Sequence, residues 1–432
     1  MNARNDLMAL CKHEHFGSHL AALRGECRLA VASLWRSMRL LDAAHCKPVG
    51  GGTRTFQEMA HWLILGAMPD GSDAFKSKVR QNEDAAEDAL QDRCDGKSGD
   101  LERGGLIEKL IAADPEALEP AWRATTGKRN ANKLRDAIAM PETLSVDEPA
   151  GLAIMRPQWH SRRMRLHLDF ARETMRATFY SGGQPILHGD IDTRIVVDDE
   201  PIDPVAAWEV TCTYSDDDVH YVEFEQRHRD GLRLQRHWLM IREERVLMMA
   251  DAVHGVGSRA ANTHTDAPPG VVRLQTRLQC GQRVVASPDP SLTEIHLGTP
   301  KPRCLLLPLG GGEWKDASAP VQTHVVDGVL ETVAVGERAV FAPLWFDLDR
   351  KRFDGPRTFR RLTVADRRRI CEPHEAVGFR VQRGEDQWVI YRSLGGQRIR
   401  TVMGRHLQTD FLLTRFHGDD ETFEDLVTVD EE

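Results

Sequence analysis

Apolar residues recur at three- and four-residue steps through the first part of the chain. Over residues 20–46 this stripe consists of Leu20, Leu23, Cys27, Val31, Leu34, Met38 and Leu41. The spacing places these side chains on one face of an α-helix, which turns once about every 3.6 residues. The pattern predicts a helix over 20–46, a shorter one over 55–66, and further helices over 115–125 and 130–140.

The rest of this first part carries few large apolar side chains. Residues 70–104 are rich in Asp, Glu, Lys and Gly, which predicts either a solvated helix with loose ends or a mobile insert. The run PETLSVDEPAG, residues 141–151, combines turn-forming and charged residues and predicts a linker. We therefore expect a small helical N-terminal region over residues 1–145.

The pattern changes after about residue 150, where short runs of Val, Ile, Thr, Leu and aromatic residues replace the helical period. Turn-forming groups such as SGG, DDD, DG, APPG, PDP and GED separate these runs, which is typical of an all-β sandwich or barrel. The whole chain is thus predicted to be an α+β protein, with the helical region followed by a mostly antiparallel β-sandwich over residues 150–420. The acidic ending, residues 421–432, predicts a solvated tail.

The stretch YVEFEQRHRDGLRLQRHWLMIREERVLMMADAV, residues 221–253, contains many helix-favouring residues but alternates between polar and apolar side chains. Asp230-Gly231 is a typical two-residue hairpin turn, and Glu243-Glu244 predicts a second turn. A single helix would have to continue through the Asp-Gly pair. We therefore predict a three-stranded antiparallel meander, in which residues that face each other across a turn share one face of the sheet.

This register sorts the side chains of the meander onto two faces. The predicted apolar face consists of Val222, Phe224, Leu239, Ile241, Val246 and Met248, with His237 among them. The predicted polar face consists of Tyr221, Glu223, Glu225, Arg236, Trp238, Met249 and Asp251. On the polar face, Glu225, Arg236 and Asp251 are expected to form one row across the three strands.

The predicted polar face has two interpretations. The simpler one is an ion-pair ladder on the outside of the sheet, covered by a Trp side chain, as many antiparallel sheets carry. The alternative is a ligand-binding face, because an aromatic plane beside carboxylates and a guanidinium suits stacking on, and hydrogen bonding to, sugars. The candidate ligand-binding residues under the second interpretation are Glu223, Glu225, Arg236, Trp238 and Asp251.

A second meander is predicted over residues 376–404, where turn-forming RGED and LGGQ separate alternating runs. Alternation places Trp388 and Arg392 on one face of this meander, and Val389 and Tyr391 on the other. We expect the arginines of this segment to line a solvated edge.

Residues 208–253, WEVTCTYSDDDVHYVEFEQRHRDGLRLQRHWLMIREERVLMMADAV, place a charged hairpin before an apolar strand that ends in Ala-Asp. In this order of features, residues 155–416 or so resemble the C-terminal β-sandwich of heparinase II/III-like proteins. The resemblance implies a link to polysaccharides, because members of that family are often lyases with much of their catalytic machinery on a helical toroid. The region before the predicted sandwich is short for a toroid, so we expect this chain to lack a full one.

A lyase of this kind needs a group that removes the C5 proton of a uronate, usually Tyr or His. The candidate catalytic residues are Tyr221, His220 and Arg236, because they lie in or beside the predicted polar face. His220 and Tyr221 are adjacent on one strand and are therefore expected to point to opposite faces. They cannot simply act together.

The candidate metal ligands of the sequence are His237, Asp251 and His254. Neutral imidazole and carboxylate are ligands that zinc accepts, and the resemblance implies that metals occur in the β-domains of the family. The predicted register places His237 and Asp251 on opposite faces, so a slip or bulge of one residue would be required. We therefore expect no metal at this position, and we predict no cofactor.

Composition narrows the classes of partner. The chain has 432 residues and a net charge of −9, which argues against a nucleic-acid partner. No apolar run approaches the roughly 20 residues of a membrane helix, and the first residues carry no secretory signal. The eight cysteines are scattered without CxxC pairs, which fits reduced thiols. We therefore expect a cytoplasmic protein without a membrane partner.

Two functions remain open from the sequence. In the first, the β-sandwich binds a glycan, acidic or neutral, or another protein, and performs no chemistry. In the second, the chain is a polysaccharide lyase-like enzyme that acts on an acidic glycan in a cleft between the helices and the sheet. The sequence favours the first, because no complete catalytic set can be assembled from it.

Overall fold

The computed structural model describes residues 142–158, 164–182, 184–255, 270–299, 301–367, 369–396 and 398–430. The chain divides into two compact units. The first unit contains the residues up to Ile154 and residues 158–163, and the second contains Met155–Pro157 and the residues from Met164 onward. The predicted helices over 20–46, 55–66, 115–125 and 130–140, and the predicted insert, lie outside the described residues.

Most of the described residues lie in β-strands. The first thirteen are β1 (Leu144–Asp147), β2 (Leu152–Met155), β3 (Arg165–Asp169), β4 (Arg176–Ser181), β5 (Gln184–Val197), β6 (Glu200–Ile202), β7 (Glu209–Ser215), β8 (Val219–Arg227), β9 (Arg233–Ile241), β10 (Val246–His254), β11 (Val271–Cys280), β12 (Val285–Pro288) and β13 (Ile295–Thr299). The others are β14 (Lys301–Pro308), β15 (Val321–Val326), β16 (Val329–Glu337), β17 (Val340–Asp347), β18 (Arg357–Leu362), β19 (Val364–Asp366), β20 (Arg369–Ile370), β21 (Ala376–Arg383), β22 (Asp386–Ser393), β23 (Arg400–Val402), β24 (Arg405–Leu407), β25 (Phe411–His417) and β26 (Thr422–Val429). Short 3-10 turns cover Arg229–Gly231, Leu309–Gly311 and Arg350–Arg352.

The strands of the second unit form four antiparallel sheets. The first sheet has the order β3-β4-β5-β11-β16-β15, with β6 beside β5, and the middle sheet has the order β12-β13-β14-β17-β10-β9-β8-β7. The third sheet has the order β18-β21-β22-β25-β26, and a small sheet has the order β20-β19-β23-β24.

The middle sheet is covered on both faces. Towards the first sheet, Phe224 packs 4.8 Å from Phe170 between ring centroids. Towards the third sheet, Trp345 packs 5.3 Å from Trp388. Strands β8, β9, β10 and β17 are therefore buried at nearly every position, whichever way the side chain points. The core consists of two apolar layers, one on each side of the middle sheet.

The outer sheets each expose one face. Strand β11 alternates between buried residues and exposed or half-buried ones, so the first sheet presents one face to solvent. The outward side of the third sheet is partly covered by the small sheet, whose Val364, Val402 and Leu407 pack with Tyr391 and Leu412.

The predicted α+β fold class is wrong for the described residues, which are nearly all strand and contain no α-helix. The prediction depended on the helical period before residue 145, yet Leu144–Asp147 is already a strand. Leu, Met, Glu and Arg favour helices, yet they are abundant in β8 to β10. These residues form strands because burial between two sheets outweighs their local preference for a helix. No helix in the described part of the chain is long and apolar enough to cross a membrane.

The structure also differs from the prediction at the end of the chain, where residues 421–432 were expected to form a solvated tail. Thr422–Val429 instead forms β26 at the edge of the third sheet. Leu426 and Val427 are buried there, because the apolar residues between the acidic ones pack against the sheet core.

Candidate functional site

Residues 221–253 form three antiparallel strands within β8, β9 and β10, as predicted. Between β9 and β10 the predicted register is confirmed, with Arg236 opposite Asp251. Between β8 and β9 the register differs by one residue, because Phe224 rather than Glu225 lies opposite Arg236. The connection is longer than a two-residue turn, and both Asp230 (φ 61°) and the following glycine (φ 76°) adopt the left-handed conformation.

This shift moves every side chain of β8 to the other face of the sheet. The side chains that now face the third sheet are Tyr221, Glu223, Glu225, Gln235 and His237. Those that face the first sheet are Val222, Phe224, Arg236, Trp238 and Asp251. The predicted row of Glu225, Arg236 and Asp251 is therefore wrong, and the predicted polar face is divided between two buried layers.

Arg236 and Asp251 form a buried ion pair towards the first sheet. Arg236 Nε donates to Asp251 Oδ1 at 2.7 Å, and its Nη2 donates to Asp251 Oδ2 at 3.0 Å. Thr276 Oγ1 donates to Asp251 Oδ2 at 2.7 Å, and Thr193 Oγ1 accepts from Arg236 Nη2 at 2.8 Å. The guanidinium also lies 4.9 Å from the ring centroid of Trp208. The side chains of the pair are 0% and 2% exposed.

The surroundings of this pair exclude a sugar. A cavity beside it, of about 10 Å³, is lined by Asp251, Thr276, Thr332 and apolar side chains, and is large enough for about one water molecule. Trp238 is fully buried, so its indole ring presents no stacking plane to solvent. The predicted ligand-binding residues on this face are therefore enclosed.

The opposite face of the meander carries a second group of polar residues, which we call the polar strip. It consists of Tyr221, Glu223, Glu225, Arg233, Gln235, His237, His254 and Arg392. At its inner end, Tyr221 Oη donates to Glu223 Oε2 at 2.7 Å and lies 2.8 Å from His237 Nδ1. Thr211 Oγ1 donates to Glu223 Oε1 at 3.1 Å.

Further along the strip, the side chains of the third sheet meet those of the middle sheet. Arg392 Nη2 donates to Gln235 Oε1, and Gln235 Nε2 donates to Glu225 Oε2 at 3.1 Å. Arg233 Nη1 lies 3.8 Å from Glu225 Oε2. The strip thus links β9 to β22 through a continuous chain of polar contacts.

Burial and neighbouring charges set the protonation states at the inner end. Burial, with the charge of Glu223, raises the pKa of Tyr221 well above its ordinary value. Burial acts to raise the pKa of Glu223, but His237, Arg392 and Tyr221 outweigh it and hold that pKa below its usual range. Burial lowers the pKa of His237 against the opposing charge of Glu223. At neutral pH the cluster therefore holds a neutral phenol, a carboxylate and a neutral imidazole.

The polar strip runs from the surface into the interior. The side chain of Arg233 is 45% exposed and that of Glu225 is 15% exposed, whereas Tyr221 and His237 are fully buried. Phe411 stacks on both rings, at 5.2 Å and 5.4 Å between centroids. The residue types at the inner end suit proton transfer, but the packing closes them off from a polymer in solution.

Of the other two candidate residues, His220 lies on the opposite face of the sheet, and His254 lies at the outer end of the polar strip. His220 faces the first sheet, where its ring nitrogens contact Ser215 Oγ at 2.8 Å and the backbone oxygen of Arg156 at 3.1 Å. As predicted, it points away from Tyr221. Burial, aided by Arg242, lowers the pKa of His220 to about 4.

His254 ends β10 and lies at the outer end of the polar strip. Burial, with Arg392 and Arg233, lowers its pKa to about 3. His237 and Asp251 face opposite sides of the sheet, so these two candidate metal ligands do not converge with His254. In the part of the chain that the structure describes, no three His, Cys, Asp or Glu residues are grouped to hold a metal ion.

Sequence reasoning missed the role of Arg392, which was expected at a solvated edge. It is buried and contacts Gln235 across two sheets. The available signal was its alternation with Trp388, which correctly placed both residues on one face. That face is interior, because the third sheet packs on the middle one.

Tyr221→Phe is expected to lower the free energy of unfolding by about 1–3 kcal/mol. The substitution removes the hydroxyl that Glu223 and His237 share and leaves buried polar atoms unsatisfied. Urea unfolding monitored by fluorescence measures the change.

Tyr214→Phe is the matched control, because it also removes a hydroxyl that donates to a carboxylate, Asp216 Oδ2, at 2.8 Å. Tyr214 is 44% exposed, so its loss should change the free energy by no more than about 0.5 kcal/mol. Equal effects of the two substitutions would contradict the assigned role of the inner cluster.

Comparison with known proteins adds a fold but no sequence family. No protein-family model matches the chain, and no characterised protein matches it by sequence. Among solved structures, it is similar to heparan sulfate lyase HepC from Pedobacter heparinus, with a TM-score of 0.53 and 10% identity over 86% of this chain and 58% of that one. It is also similar to a structure of heparinase III, with a TM-score of 0.52 and 12% identity over 85% of this chain and 59% of that one.

This chain has a distant heparinase-like fold. The structural likeness agrees with the resemblance expected from residues 208–253. At 10–12% identity it concerns the fold alone, and the chain spans less than two thirds of the length of either lyase structure.

Proposed function

We propose that this chain binds an acidic polysaccharide and that the described sheets serve recognition rather than chemistry. The fold supports a polysaccharide as the ligand, because it is similar to the folds of a heparan sulfate lyase and of heparinase III. Heparan sulfate is a sulfated polymer that contains uronate, and such a ligand offers carboxylates and sulfates to guanidinium groups.

The single observation that supports binding without catalysis is the burial of Tyr221 and His237. They are the phenol and imidazole of the meander that lie within hydrogen-bonding distance of each other. A base that removes the C5 proton must come within hydrogen-bonding distance of the sugar. With Phe411 stacked on both rings, a polymer cannot approach them in this conformation.

A second candidate function is β-elimination on a uronate, and the 2.8 Å contact between Tyr221 and His237 is the observation that favours it. In this reaction a base removes the C5 proton, the C4–O bond breaks, and the electron pair forms the C4–C5 double bond. A proton is delivered to the leaving oxygen. The reaction would require Phe411 to move, so that the substrate could reach the polar strip.

A panel of immobilised polysaccharides tests both candidates. We expect the full chain to be retained by heparan sulfate and other uronate polymers and not by a neutral glucan, with retention that weakens at high salt. We expect no rise in the ultraviolet absorbance that an unsaturated uronate would produce.

Each alternative outcome has a clear meaning. An absorbance rise that is lost in Tyr221→Phe would replace the binding proposal with elimination. Failure of every acidic polymer to retain the chain would contradict the polysaccharide ligand, and would leave a protein partner as the function to test next.

A further inference from the structure

The outward face of the third sheet carries polar and aromatic side chains beside the region that the small sheet covers. Phe359 in β18 is buried towards the middle sheet, so Thr358 and Arg360 on either side of it point outward. Cross-strand pairing then places Gln382 opposite Thr358, and Arg380 opposite Arg360. We call this face the outer platform, and its residues are Thr358, Arg360, Arg380, Gln382, Gln387, Phe416 and Phe423.

Arg360 and Arg380 are two like charges directly opposite each other on neighbouring strands, which is an unfavourable arrangement by itself. Within the described part of the chain, neither guanidinium forms an ion pair with a carboxylate. Arg380 Nη2 donates to Gln382 Oε1 at 3.2 Å, which holds it along the sheet surface. An anion bound between the two guanidiniums would relieve their repulsion and accept hydrogen bonds from both.

The far side of the same platform is aromatic. Phe416 and Phe423 lie opposite each other on β25 and β26, with ring centroids 5.0 Å apart, and both are half-buried. The guanidinium of Arg405 lies 5.6 Å from the Phe423 ring and is itself paired with Asp425. Arg405 thus covers one side of Phe423, and both rings pack against the apolar cluster under the small sheet, while part of their surface stays exposed.

Amide side chains lie between the charged and the aromatic parts. Gln382 lies opposite Gln387, and its Nε2 donates to the backbone oxygen of Gly384 at 3.2 Å. Gln387 Oε1 is buried and has no hydrogen-bond partner among the described residues, so Gln382 is the amide that can reach a ligand. From β18 to β26 the platform crosses four strand spacings of about 4.8 Å, or roughly 19 Å, which is long enough for several sugar residues. Guanidinium, amide and aromatic groups in this order match the carboxylate, the hydroxyls and the apolar C–H face of a uronate chain.

We propose that the outer platform binds a carboxylated segment of an acidic polysaccharide. The uronate carboxylate lies between Arg360 and Arg380, a hydroxyl contacts Gln382, and a neighbouring sugar ring packs on the open part of Phe416 and Phe423. This inference rests on the proposed function for the class of ligand, and it assigns the surface that binds it. The net charge of −9 repels a polyanion at long range, so binding must depend on a local positive site such as Arg360 and Arg380.

The outward face of the first sheet supplies a matched control. Arg194 and Arg273 are exposed on the neighbouring strands β5 and β11, and they also form no ion pair within the described residues. Their cross-strand neighbours are Gln275, Val196 and Val335 rather than aromatic rings. Replacing this pair by glutamine removes the same charge as replacing Arg360 and Arg380, but leaves the outer platform intact.

The test compares heparan sulfate affinity of the full chain with that of Arg360→Gln/Arg380→Gln, Arg194→Gln/Arg273→Gln and Phe423→Leu. We expect the first variant to bind about tenfold or more weakly, because it loses charge-assisted hydrogen bonds, and the second to change by less than about twofold. Phe423→Leu should weaken binding to heparan sulfate without changing its dependence on salt. Equal unfolding midpoints would show that each variant is folded.

The outcomes separate the two proposals. In one outcome, the unchanged chain binds while the two double arginine variants have the same affinity as each other, whether or not that affinity is reduced. The outer platform is then not the binding surface, and the proposed function stands. If the unchanged chain binds no acidic polymer, the proposed function fails and the platform assignment fails with it.

Discussion

Arg236→Ala is expected to lower the free energy of unfolding by about 3–5 kcal/mol. The substitution leaves Asp251 charged and enclosed between two sheets, with Thr276 as its remaining side-chain donor. It also leaves the hydroxyl of Thr193 without its donor and removes the cation above the Trp208 ring. A loss of this size is a large fraction of the stability of a typical domain. Urea unfolding at pH 7.5 measures it.

An exposed ion pair in the neighbouring sheet is the control for this measurement. Arg277 Nη1 lies 3.9 Å from Asp192 Oδ2, with side chains 48% and 67% exposed, so Arg277→Ala should cost no more than about 1 kcal/mol. A double substitution, Arg236→Met with Asp251→Leu, should recover part of the loss, since no buried charge then lacks a partner. If Arg236→Ala costs as little as Arg277→Ala, the Asp251 carboxylate is not enclosed as the structure has it.

The sequence predicted the hairpins but not the register that decides which residues meet. Alternation identified β8, β9 and β10, and the short second turn placed Arg236 opposite Asp251. The first connection failed because Asp230-Gly231 does not form a two-residue turn. A local signal for a turn fixes where the chain reverses, but one extra residue changes the face of a whole strand.

The burial of both faces could have been inferred more directly. VLMMADAV in β10 is an almost continuous apolar run, which is the signature of a strand covered on both sides. The prediction of a solvated polar face instead followed from the charged residues of β8. The two carboxylates of β8 are buried because the observed register gives them partners on β9, His237 for Glu223 and Gln235 for Glu225. Other buried polar groups of the meander have partners on another sheet, such as Arg392 for Gln235 and Thr276 for Asp251.

Such partners explain why the candidate site was less predictable than the fold. Strands can be recognised from a few neighbouring residues, whereas the polar strip and the outer platform each depend on contacts between strands far apart along the chain. Arg360 and Arg380 lie on strands separated by β19 and β20, which belong to another sheet, and only the pairing of β18 with β21 shows that they are directly opposite. The side that Phe416 and Phe423 share is likewise set by the pairing of β25 with β26.

Acidification from pH 6.5 to pH 4 is expected to lower the free energy of unfolding by several kcal/mol. Burial, with nearby arginines, lowers the pKa of His220 to about 4 and that of His254 to about 3, from an ordinary value of 6.5. Below pH 6.5 the unfolded chain takes up protons that the folded chain cannot hold. Unfolding is therefore favoured as the pH falls, by up to about 1.4 kcal/mol per pH unit for each histidine.

Other buried groups act in the same direction. Burial, with Arg156 and Arg165, holds the pKa of His167 well below its ordinary value, so it adds to the loss over the same range. Glu223 has a lowered pKa, so its stabilising effect is complete above the ordinary carboxyl range and is lost as the pH falls below it. The loss between pH 6.5 and pH 4.5 should therefore come mainly from histidines, and the loss below that should include carboxylates.

His220→Gln separates these contributions, because glutamine keeps a polar side chain but does not titrate. We expect this variant to be less stable than the unchanged chain at pH 7.5, since the contacts to Ser215 and to the Arg156 backbone are altered. Its free energy of unfolding should nevertheless fall less steeply between pH 6.5 and pH 4.5. Only a histidine that resists protonation in the folded state can contribute to this dependence of stability on pH. If the stability of His220→Gln falls as steeply as that of the unchanged chain, His220 does not stay neutral in the folded state.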